Sequence, residues 1–165
     1  MDAGTRHEHE QGAVSVGGIA SVPWPVAVSA TLHCLTGCAV GEVLGMVIGT
    51  AAGLTTAATV ALAVVLAFVF GYALTMRRVL RAGVAFGDAV KIALAADTVS
   101  IAVMEVIDNA IVLSVPGAME AGLSSWLFWA SLAFALAVAF VVTVPVNRWM
   151  IGRGKGHAVV HAYHH

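Results

Sequence analysis

Four apolar stretches, about residues 24 to 53, 55 to 76, 88 to 115 and 124 to 151, leave this chain of 165 residues room for almost nothing else. Each reaches the roughly 20 apolar residues that a helix needs to cross a hydrocarbon core. In lipid every backbone N–H and C=O must be satisfied within the protein, and a helix does so within its own segment. The expectation is an all-α, polytopic membrane protein: one bundle of four transmembrane helices over residues 24 to 151. It is flanked by an N-terminal tail over 1 to 23 and a His-rich tail over 152 to 165. With 60% hydrophobic and 10% charged residues, the composition lies far from that of a soluble domain.

The basic residues set the orientation. With four spans, Arg6, the loop carrying Arg77, Arg78, Arg81 and Lys91, and the tail carrying Arg148, Arg153 and Lys155 all fall on one side. Lys and Arg of short loops are retained in the cytoplasm, so both termini are expected there. No basic n-region precedes a compact apolar core, so a cleaved signal peptide is not expected. Nothing points to nucleic acid as a partner. The lipid bilayer is the expected surround, with a homo-oligomer or a membrane complex as the expected assembly.

The first apolar stretch is chemically unusual. Gly37, Gly41, Gly45, Gly49 and Gly53 recur every four residues and form one smooth stripe on a helix, suited to close packing. Cys34, Cys38, Glu42 and Met46 recur at the same spacing one position round, and His33 precedes them. The second stretch has no ionisable residue in its interior and reads as lipid-facing wall. A short basic segment, Val79 to Phe86, reads as lying along the membrane interface.

The third stretch carries Asp97, Ser100, Met104 and Asp108 at three- and four-residue steps with Glu105 beside them, so that they share one broad face, and Asn109 follows. Intramembrane carboxylates are expensive and face a bundle interior, a cavity or a partner. The first and third helices run in the same direction, so a rise of about 1.5 Å per residue compares their depths. His33 then falls level with Asp97 and Glu42 with Glu105, with the two thiols between and Met46 near Asp108. A polar seam between these helices follows, and the glycine stripe is the expected means of bringing its halves together.

Three chemistries compete for that seam. Thiolate and thioether are soft ligands that select Cu(I), and imidazole suits copper and zinc. His33, Cys34, Cys38, Glu42, Met46 and Met104 are therefore candidate ligands of a transition-metal ion, copper first and zinc second. Asp97, Glu105, Asp108 and Asn109 would form a proton or cation path, with His157 and His161 as a peripheral relay. Alternatively the thiols cycle with a disulfide, which residues four apart on a helix disfavour by Cβ spacing. In the third chemistry the carboxylates move protons or cations, or serve an accessory subunit of a redox complex, without any transition metal. An enzyme is not expected, because no substrate-cavity signature is present.

HCLTGCAVGE, LAADTVSIAVMEVIDNA and PVNRWMIGRGKGHAVVH together resemble a bacterial integral membrane family known as domain of unknown function 4396. The resemblance covers about residues 30 to 161. It implies a small multi-pass protein of the bacterial inner membrane, with relatives that sometimes occur beside or fused to copper proteins. It supplies no mechanism.

Overall fold

The structure, a computed structural model, describes residues 22–118 and 122–153, and every element in it is helical. Four helices follow in order: α1 Trp24–Ala51, α2 Thr56–Arg81, α3 Phe86–Ser114 and α4 Trp126–Gly152. With 26 to 29 residues each, they are about 40 Å long. Three of them, α1, α2 and α4, are long and apolar enough to cross a membrane.

Local chemistry sets the boundaries. Pro23 and Pro25 start α1, where a missing amide donor is harmless. Gly53 ends it, adopting φ +65° so that its N–H reaches the Thr50 carbonyl and the Leu54 N–H reaches that of Gly49. Thr55 then caps α2 by accepting from the Ala58 N–H at 3.3 Å. The α2 C-terminus repeats the device: Gly83 has φ +85°, and the Val84 N–H bonds to the Val79 carbonyl. The interfacial segment expected from Val79 to Phe86 is therefore the last turn of α2 and a tight connection into α3. Arg77, Arg78 and Arg81 are tolerated inside the helix because their long stems carry the charge outward, and all three are exposed. Ser125 caps α4 through the Leu127 N–H.

Burial is inverted relative to a soluble fold. Thr31, Glu42, Asp97, Ser100, Glu105, Asp108, Thr143 and Asn147 are buried, while Leu44, Val47, Val65, Val69, Val106, Phe134 and Val141 are exposed. Aromatic residues mark the two ends. Trp126 and Trp129 lie at the start of α4, and Trp24 and Trp149 lie at the opposite end of the bundle. There Arg148 donates through Nε to the Val22 carbonyl at 3.0 Å, with its guanidinium 4.2 Å above the Trp24 ring. The start of α1 is thus tied to the end of α4.

The glycine stripe packs against α2, and this corrects the expectation that it joins α1 to α3. A Cβ at Gly41 would lie 2.2 Å from the Ala67 nitrogen, and one at Gly45 would lie 2.3 Å from the Ala63 Cα. At Gly37 and Gly49 the obstructing groups are Gly71 and Thr59. The partner row Thr59, Ala63, Ala67, Gly71 and Thr75 has the same four-residue spacing and is buried. Lipid-facing wall describes only the other side of α2. A Cβ at Gly53 would meet nothing within 4 Å, so Gly53 belongs to the turn and not to the stripe.

Candidate functional site

Because α1 turns its glycine edge to α2, the edge about 100° round, Cys34, Cys38, Glu42 and Met46, faces the bundle interior, and all four residues are buried. Both cysteines are free thiols. They pack in one cluster with Ile101 and Met104 of α3, Ala67 of α2 and Ala139 of α4. Small residues on α2 and α4 let the four helices converge at this level.

The acids follow one turn further along. Glu105 lies beside the Cys38 thiol, and Asp108 lies beside Glu42. Glu42 thus meets Asp108 where depth matching expects Glu105, a shift of about one turn. Asn109 holds Glu105 in place, its Nδ2 donating to the Glu105 carbonyl at 2.9 Å and to Oε2 at 3.4 Å. Beyond the contacts of Glu42 with Asp108 and of Glu105 with Cys38, no group bonds to either oxygen of Glu42, to Oε1 of Glu105 or to Oδ1 of Asp108. No Lys or Arg is among the buried residues described. A carboxyl group removed from water is either protonated or paired with a positive charge, and no buried Lys or Arg among the described residues supplies that charge.

Asp97 lies at the other end of the seam, with the Thr75 hydroxyl of α2 facing it. His33 is half-buried and comes to the adjacent α2 residue, Leu74, with Arg78 nearby. It therefore lies outside the sulfur cluster. Met46 packs with Phe128 and Leu132 of α4. The six candidate ligands are distributed over three places: Cys34, Cys38 and Met104 together; Glu42 and Met46 beyond them; His33 against α2. Among the described residues no group of three or more His, Cys, Asp and Glu side chains is arranged to hold a metal ion. His157 and His161 lie outside the described residues.

Between Asp97 and the thiols sits a clasp that the amino-acid pattern alone does not reveal. Asn147 of α4 accepts from the Ser100 hydroxyl through Oδ1 and donates through Nδ2 to Thr31 Oγ1 at 2.8 Å. Thr31 in turn donates to the Ala27 carbonyl at 2.8 Å. Three helices are joined with each of these groups satisfied. An Asn in an otherwise apolar helix was the available signal, since such a residue bonds across to a neighbour.

Fold and site together define a class: a helical membrane protein whose interior holds a thiol and carboxylate seam. More particularly, the chain belongs to the family described as a domain of unknown function, DUF4396, whose model matches residues 23–156. No match was found among curated proteins or among solved structures.

Proposed function

We propose that this protein binds a thiophilic metal ion, Cu(I) in the first place, inside a four-span membrane bundle and passes it along the seam. The observation that carries this reading is the convergence of both free thiols with Met104 in one buried cluster, with Glu105 against Cys38. Two thiolates and a thioether suit a soft, poorly hydrated ion. A thiol must lose its proton to bind, and the adjacent carboxylate is a ready acceptor. His33, Glu42 and Met46 stand outside this ligand set.

Membrane placement of α3 is part of the proposal. Leu94, Val99, Val106 and Leu113 are exposed on its outward side, and Asp97, Glu105 and Asp108 are buried. From Leu94 to Leu113 the helix rises about 28 Å, close to the thickness of a hydrocarbon core. Four spans with the basic loops inside would put both termini in the cytoplasm of a bacterial cell, with the plasma membrane as the site of action.

The test is a titration of the detergent-purified full chain with Cu(I) against a chromophoric Cu(I) chelator, beside Cys34→Ser/Cys38→Ser. The wild type is expected to compete stoichiometrically with the chelator and the double variant not at all. Equal competition by the two would remove the metal reading. A second reading is favoured by the row Asp97, Ser100, Glu105 and Asp108 running along one face of α3: a proton path serving a membrane complex, with the thiols incidental. In that case the double variant would keep all activity in the cell while Glu105→Gln lost it.

A further inference from the structure

Glu42 and Asp108 do more than neighbour the thiols, because they open onto a space of their own. A cavity of about 30 Å³ lies beyond the sulfur cluster, with Glu42, Asp108 and Asn109 on its polar side and Met46, Phe128 and Leu132 on its apolar side. Glu42 is 5% exposed and Asp108 4%, so both carboxylates are withdrawn from bulk solvent. Glu42 and Asp108 lie within hydrogen-bonding reach of each other, no other group bonds to either oxygen of Glu42 or to Oδ1 of Asp108, and with Asn109 they form the polar side of this space. A volume above roughly 10–15 Å³ admits a guest the size of a water molecule where polar partners are present.

We infer that this cavity is a separate binding site for a small, hard monovalent cation of the size of Na⁺, held by the carboxylates of Glu42 and Asp108. Hard cations take oxygen ligands, and here only oxygens are offered at close range apart from the weakly donating Met46 thioether. The volume holds too few waters for Mg²⁺, which keeps several and dehydrates reluctantly. A monovalent ion sheds its shell more readily, and one Na⁺ with one shared proton balances the pair. Asn109 borders the polar side, while the buried apolar side chains of Phe128 and Leu132 lower the local dielectric and strengthen the attraction inside. The site shares no ligand with Cys34, Cys38 and Met104, so it stands or falls apart from the Cu(I) reading.

Binding of radiolabelled Na⁺ to the detergent-purified full chain, with choline keeping ionic strength constant, tests the inference. Wild type is expected to show saturable binding that excess unlabelled Na⁺ displaces and equal K⁺ or Ca²⁺ does not. Glu42→Gln and Asp108→Asn should each weaken it by at least about tenfold, the scale on which lost metal-site partners act. Cys34→Ser/Cys38→Ser should bind Na⁺ as the wild type does. Each variant is checked for wild-type elution and helical circular dichroism. Absence of saturable Na⁺ binding in the wild type, displacement by Ca²⁺ in preference to Na⁺, or undiminished binding in a folded Glu42→Gln protein would each overturn the site. Should the acid variants fail to fold, a Na⁺-specific rise in wild-type thermal stability over choline is still required, and its absence has the same force.

Discussion

Replacing Gly41 by Ala adds one methyl group where the structure has least room for it. The new Cβ would stand 2.2 Å from the Ala67 nitrogen and 2.4 Å from its Cα. Ordinary carbon contacts lie at about 3.5–4.0 Å, so α1 and α2 must part by about 1 Å. A gap of that size forfeits up to about half of the local dispersion attraction. Helix backbones cannot rotate away as a side chain can, so the cost belongs near the upper end of the roughly 1–3 kcal/mol typical of overpacking. Two other glycines calibrate the measurement. Gly53→Ala meets no neighbour but must hold φ +65°, at about 1–2 kcal/mol for a left-handed residue. Gly87→Ala, in the first turn of α3 with open space around it, is expected to be neutral or to stabilise by up to about 1 kcal/mol. Unfolding in mixed micelles with increasing dodecyl sulfate, followed by circular dichroism, gives the three values on one scale. The expected order of cost is Gly41, then Gly53, then Gly87. A Gly41→Ala protein within about 0.5 kcal/mol of Gly87→Ala would refute the backbone contact between α1 and α2, since surface changes lie in that range.

Asn147→Ala removes both bonds of the clasp among Thr31, Ser100 and Asn147. Interhelical hydrogen bonds in membranes average about 0.6 kcal/mol and reach about 1.7, so a loss of about 1–3 kcal/mol in the same unfolding assay is expected, and a loss below 0.3 would count against the network. Met104→Leu conserves volume and should change stability by less than about 1.5 kcal/mol, yet it should weaken Cu(I) competition measurably. Unchanged competition would drop Met104 from the ligand set.

Much of this architecture was legible from residue spacing. The four-residue recurrence of Cys34, Cys38, Glu42 and Met46 fixes a common face, and Asp97 to Asp108 fixes another. Burying both faces leaves them little choice but to meet, which they do at Cys38 with Glu105 and at Glu42 with Asp108. The partner of the glycine stripe was not legible in the same way, because small residues specify closeness and not which neighbour comes close. The complementary row from Thr59 to Thr75 was nevertheless present at matching spacing, and reading α2 for small residues instead of charges would have exposed it. Depth matching missed by about a turn because neither helix starts at a boundary that a hydropathy pattern defines. The separation of His33 and Met46 from the thiols depends on how each helix rotates about its own axis, and rotation follows from packing that no single segment encodes. The cavity at Glu42 is a product of all these rotations at once.

The fit of α1 on α2 has a mechanical consequence. Where bare backbone sits in the notches of another backbone, neither helix can slide or turn without collision, so the two form a single stiff strut. The opposite faces of the seam, on α3 and α4, are padded with Ile101, Met104, Leu132 and Phe128, whose side chains can change rotamer and let helices shear by small steps. The ion passage proposed above would call for displacement of the padded pair against the strut, and Pro145 inside α4, two residues before Asn147, is where the missing amide donor weakens the helix ladder.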